Sequence, residues 1–157
     1  MKRLRILLLA AIAAVMSAAA ADAHDYTRGT ILIDHPWTRP TPGGVTVGSG
    51  YLVIRNRGKF ADRLLSASTP IAGKVEIHQM AVNDGVMTMR QVEGGLLVGA
   101  GKSVELQPNG LHLMFFALKQ GLKQGDKFPA SLVFEKAGMV DVEFLVEPMG
   151  TKAPRHH

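Results

Sequence analysis

The chain contains no cysteine in its 157 residues. That absence removes every thiolate-based site: zinc ribbons, iron–sulfur clusters, blue-copper centres and cysteine nucleophiles. It also removes disulfides, so the fold must hold by its core alone. Helical periodicity is missing beyond Ala23. No apolar run reaches the ~20 residues that a membrane-spanning helix needs. The Lys and Arg residues are scattered, with no basic helix and no basic stripe interleaved with aromatics. The net charge of +5 therefore does not read as a nucleic-acid footprint. Solubility, or weak attraction to an acidic partner surface, accounts for it.

What is present starts with a leader. Met1-Lys2-Arg3-Leu4-Arg5 is a short basic run, Ile6 to Val15 is almost wholly Leu, Ile, Ala and Val, and Ala21-Asp22-Ala23 fits a small-residue cleavage site. This is the layout of a secretory signal peptide. The expected organisation is a signal peptide at 1–23, one β-sandwich domain at 24–147 and a flexible tail at 148–157. Cleavage after Ala23 makes His24 the new amino terminus and places the protein in the periplasm.

After the leader, short alternating or β-branched runs are separated by Gly, Pro, Asn and Asp. Strands are expected at Thr30–Asp34, Gly50–Arg55, Arg63–Ser68, Lys74–Val82, Val86–Val92, Ser103–Leu106, Leu111–Leu118, Ala130–Glu135 and Val140–Val146. Many short strands with regular turn signals predict an all-β sandwich or barrel. The tail from Glu147 carries two prolines and a glycine and is expected to be unpaired.

The chemistry lies in His and Met. Asp84-Gly85 sits between two strand-like runs, which is a strong hairpin signal. A two-residue turn there sets Asn83 opposite Val86, Val82 opposite Met87, Met80 opposite Met89 and His78 opposite Gln91. Side chains alternate faces along a strand, so His78, Met80, Met87 and Met89 share one face while Val75 and Ile77 take the other. His78 and Met89 are then diagonal neighbours within reach of one ion. In the run from Leu111 to Phe116, Leu111, Leu113 and Phe115 form one face, and His112 and Met114 fall together on the other. Thioether sulfur is a soft donor that selects Cu(I) over Zn(II), Mg(II) or Ca(II), and imidazole suits copper as well. A single Met on a strand is more often core filler than a ligand. Two His–Met pairs on predicted faces of one Cys-free exported domain carry more weight.

These residues resemble the periplasmic copper chaperone family PCuAC. Its signature is a His, ten residues, a Met, about twenty-one residues, then His-x-Met. Here ten residues separate His78 from Met89, twenty-two separate Met89 from His112, and His112-Leu113-Met114 completes the pattern. The extra residue can be absorbed in the glycine-rich stretch Gly94 to Gly101. His35-Pro36-Trp37-Thr38-Arg39 and Gly50 to Asn56 extend the likeness over most of the chain. The resemblance implies a cupredoxin-like Greek-key β-sandwich that is not an enzyme. It implies Cu(I) held by His78, Met89, His112 and Met114, and delivery towards the CuA centre of cytochrome c oxidase. The partners it implies are subunit II of that oxidase and a Sco-type thiol protein. From the sequence itself no nucleic-acid partner and no stable membrane insertion are expected, and the chain is expected to be a monomer.

Other residues keep two readings. Met80 and Met87 are packing around the site or transient ligands. His35 is expected to be hydrogen-bonded scaffold near Trp37. Met149, His156 and His157 lie in the tail, which is either an ordinary chain end or, as the resemblance implies, a place for a second, Cu(II) ion. An amino-terminal His24 could chelate Cu(II) as copper oxygenases do, which leaves a copper redox enzyme as one rival. A periplasmic copper-storage or resistance protein and a metal-free adhesion sandwich are the others.

Overall fold

The computed structural model describes residues 25–152. Among them there is no helix, and none that could cross a membrane. The strands are β1 (Tyr26–Arg28), β2 (Ile31–Thr38), β3 (Val47–Asn56), β4 (Asp62–Ser68), β5 (Ala72–Asn83), β6 (Val86–Gln91), β7 (Leu96–Val98), β8 (Ser103–Leu106), β9 (Leu111–Leu118), β10 (Lys127–Phe134) and β11 (Gly138–Val146). Along the sheet they run β6-β5-β9-β3-β2-β11-β10-β4-β7, with β1 on β2 and β8 on β3. The non-sequential neighbours are the long crossovers of a Greek-key sandwich, as expected. All pairings are antiparallel except the short β11–β2 contact at Trp37 and Thr38.

The two layers meet through aromatic side chains. Phe115 of β9 meets Phe128 of β10 and Phe144 of β11 edge-on, each at 5.6 Å between centroids, and Phe128 stacks on Phe144 at 5.4 Å. Edge-on and offset arrangements suit the ring quadrupoles. Gly50 of β3 lies under this cluster: a Cβ there would sit 2.7 Å from Phe115 Cζ and 3.0 Å from Phe144 Cε1. Only a residue without a side chain lets β3 approach so closely.

β2 runs further than expected, through His35-Pro36 to Thr38. The β2–β3 register shifts between Asp34 and Trp37, and His35 adopts φ of 48°. Such a bulge takes His35 and Pro36 out of the ladder, so a proline without an N–H is tolerated in the strand. The chain after β11 is also not free. His35 Nε2 pairs with Glu147 Oε1 at 2.6 Å, the Glu147 N–H donates to the Thr38 carbonyl at 2.9 Å, and Arg39 Nη2 donates to the Thr151 carbonyl at 2.9 Å. The expected unpaired tail therefore begins as an anchored segment. His35 is scaffold, as its Pro-Trp context suggested, but its partner is Glu147.

Candidate metal centre

The site is built from the β5–β6 hairpin and β9. Asp84 and Gly85 have φ of 49° and 77°. Two successive positive φ values make a type I′ turn, whose twist matches that of the flanking strands. The resulting register puts His78 opposite Gln91, Met80 opposite Met89, Val82 opposite Met87 and Asn83 opposite Val86. Every one of these pairs is the one expected from Asp84-Gly85. On its other edge β5 pairs with β9, setting His78 directly opposite His112 and Glu76 opposite Met114.

Alternation then sorts the side chains. Ile77, Leu113 and Phe115 are buried in the core. His78, His112, Met114, Met80 and Met89 lie on the face turned away from it. The two imidazoles sit side by side, 5.9 Å between ring centroids. Met114 occupies the row on one side of this pair and accepts a hydrogen bond at its sulfur from Ser49 Oγ at 3.7 Å. Met80 and Met89 occupy the row on the other side. Phe116 lies against His78 at 5.8 Å.

Both rings are largely withdrawn from water: His112 is 2% exposed and the His78 side chain 12%. Each ring makes one hydrogen bond. His112 Nδ1 bonds the Gly110 carbonyl at 3.0 Å, and His78 Nε2 bonds Glu76 Oε2 at 2.7 Å. The remaining nitrogens, His112 Nε2 and His78 Nδ1, are buried without a partner. Among the described residues only Arg39 Nε shares that condition. A buried polar atom with no partner costs about 1–3 kcal/mol, so two on adjacent residues call for a reason. Metal coordination supplies one, since a neutral imidazole ligates through the nitrogen that its other hydrogen bond leaves free. Burial, chiefly, pushes the His112 imidazole below its ordinary pKa; the nearby His78 adds to this and the Gly110 bond opposes it. The ring is thereby held neutral, with its lone pair available. Hydrogen bonds from Lys74 and then His78 hold the Glu76 carboxyl below the usual range.

Of the four residues expected as ligands, His78, His112 and Met114 form one contiguous patch. Met89 stands one strand further out, on β6, diagonal to His78 and 45% exposed. Met87 is also exposed, at the hairpin's outer end. His24, His156 and His157 lie outside the described residues. Among the described residues no three His, Cys, Asp or Glu side chains converge on one point. The thioethers of Met80, Met89 and Met114 share this face with the two imidazoles. Sequence reasoning missed Glu76 and Ser49. Glu76 was visible in principle, two residues before His78 and hence on the same face. Ser49 was not, because only the β3–β9 pairing brings it to Met114.

A family model described as "Putative lipoprotein LpqE-like" matches residues 31–146, from the first residue of β2 to the last of β11. The chain belongs to the LpqE-like family. This is the family of the PCuAC domains. The LpqE-like chain is 26% identical over 104 residues to the "Putative lipoprotein Lxx21020" of Leifsonia xyli subsp. xyli, a stretch covering 66% of this chain and 61% of that protein. It spans about three fifths of the length of the curated relatives it matches. Among solved structures it is similar to the apo PCuAC domain from PmoF1, with TM-score 0.68 and 28% identity over 80% of this chain and 99% of that one. It is similar to the copper-bound PCuAC domain from PmoF2, with TM-score 0.69 and 27% identity over 80% of this chain and 98% of that one. All four candidate ligands of the LpqE-like chain fall inside the matched segment.

Proposed function

We propose that this protein is a non-enzymatic copper carrier that holds one Cu(I) through His78, His112, Met114 and Met89. The observation that carries this reading is the pair of buried, partnerless imidazole nitrogens on directly opposed residues, His78 Nδ1 and His112 Nε2. Two neutral nitrogens and two thioethers form a soft, uncharged donor set suited to Cu(I). The copper-bound state of the similar PmoF2 domain supports the choice of metal.

The asymmetry of the site suits transfer. His112 is buried and Met114 half-buried, so they form a fixed floor. Met89 lies at the exposed rim on the edge strand β6. An acceptor's ligand can replace the Met89 sulfur first and draw the ion out by stepwise exchange. We assign residues 1–23 as an export signal and 24–147 as the carrier domain, and place its work in the periplasm. The recipient favoured by the PCuAC resemblance is the CuA centre of cytochrome c oxidase, with a Sco-type thiol protein alongside. The test is an anaerobic Cu(I) titration against a chromophoric chelator. One equivalent should bind to the protein and be largely lost in the His78→Ala, Met89→Ala double variant. Unchanged stoichiometry and affinity in that variant would overturn the assignment.

A further inference from the structure

Among the described residues the Glu76 carboxylate is in direct contact with the imidazole pair, and the ligand set above leaves it without a role. Its carboxylate is held from two sides. Oε1 pairs with Lys74 Nζ at 2.5 Å and Oε2 meets His78 Nε2 at 2.7 Å. Lys74 is itself seated over the Phe116 ring at 5.2 Å, and Phe116 packs on His78. Both carboxylate oxygens are thus committed, and the group does not converge with the two histidines as a third ligand.

We infer that Glu76 is a positioning residue for His78: it holds the ring by Nε2–H and turns the Nδ1 lone pair toward the copper ion. An ionised carboxylate only accepts hydrogen bonds, so Nε2 must be the donor. The lone pair of the neutral ring is then on Nδ1, the atom buried without a partner. His112 is set the opposite way. Its Nδ1–H donates to the Gly110 carbonyl, which leaves Nε2 free. The two histidines therefore present unlike nitrogens to one ion, Nδ1 from His78 and Nε2 from His112. One ring is oriented by a charged side chain and the other by backbone. Through His78, Glu76 also brings a negative charge close to the ion without occupying a coordination position, so the position nearest an incoming acceptor stays with the weakly held thioether.

This role presumes the carrier function proposed above, so the test separates the two. In metal-free protein, nitrogen-15 spectra should show a His78 Nε2–H resonance shifted downfield by a carboxylate bond and lost in Glu76→Ala. Its absence in the unaltered protein overturns the inference whether or not copper binds. On anaerobic loading with Cu(I), the coordination shift should fall on Nδ1 of His78 and Nε2 of His112. In Glu76→Ala the His78 ring should ligate through either nitrogen, and Cu(I) affinity should fall about ten- to hundredfold, the usual cost of losing such an outer partner. Glu76→Gln keeps an acceptor oxygen and should restore both Nδ1 ligation and most of the affinity. Ligation of the unaltered protein through His78 Nε2, or an alanine variant that keeps pure Nδ1 ligation at full affinity, contradicts the role. A glutamine variant no better than alanine contradicts it equally. Failure of the unaltered protein to bind Cu(I) at all refutes the carrier reading instead.

Discussion

Replacing His112 by leucine should stabilise the metal-free protein while removing the proposed copper site. His112 contributes one hydrogen bond, Nδ1 to the Gly110 carbonyl, worth about 1 kcal/mol net. Its loss leaves no orphan behind, because the same carbonyl also accepts the Met80 N–H at 3.1 Å. Against that stands the buried, partnerless Nε2, whose desolvation costs about 1–3 kcal/mol. Leucine fills a comparable volume without a polar atom, so the balance favours the variant by about 1 kcal/mol. For a domain of this size that is a rise in Tm of roughly 3–6 °C. Thermal unfolding in a chelator-treated buffer reads this directly. A second series with Cu(I) completes the experiment. An ion at a thousand times its Kd adds about 4 kcal/mol to a protein that binds it only when folded. That gain should appear in the unaltered protein and vanish in His112→Leu. A variant destabilised by more than about 1 kcal/mol would refute the claim that the site is an uncompensated cost held for a ligand. Equal stabilisation of both proteins by Cu(I) would refute the role of His112.

The depressed pKa of His112 fixes the sign of a pH effect. Its contribution to stability is complete above the unfolded value of 6.5 and is lost as pH falls through the lower folded value. Urea midpoints between pH 8 and pH 5 should fall for the unaltered protein and less steeply for His112→Leu; parallel curves would count against it. Gly50→Ala should cost about 1–3 kcal/mol by overpacking against Phe115 and Phe144, read as a lower urea midpoint. Since the added methyl points into the core, Cu(I) stoichiometry should stay at one.

The hairpin register was legible because Asp84-Gly85 determines it locally: a type I′ turn leaves no freedom over which residues face each other. Sorting His112 and Met114 away from Leu113 and Phe115 needed only the two-residue period of a strand. That β5 and β9 are neighbours, with His78 directly across from His112, is a non-local fact that no local pattern encodes. β1 and β7 went unseen because three residues are too few to show alternation. β7, at Leu96–Val98, is also hemmed in by Gly94-Gly95 and Gly99. The strand expected at Thr30–Asp34 stops short of the observed β2; a proline normally ends a strand, and the bulge at His35 is what lets this one continue to Thr38. Glu76 gave no such signal, because a hard, charged carboxylate does not mark a soft-metal site; the role inferred for it acts through a histidine.

The most direct test of the copper site is X-ray absorption at the copper edge of the protein loaded with one Cu(I). Two nitrogen and two sulfur neighbours are predicted, with one sulfur lost in Met114→Leu. A first shell without sulfur, or one unchanged in that variant, would contradict the site.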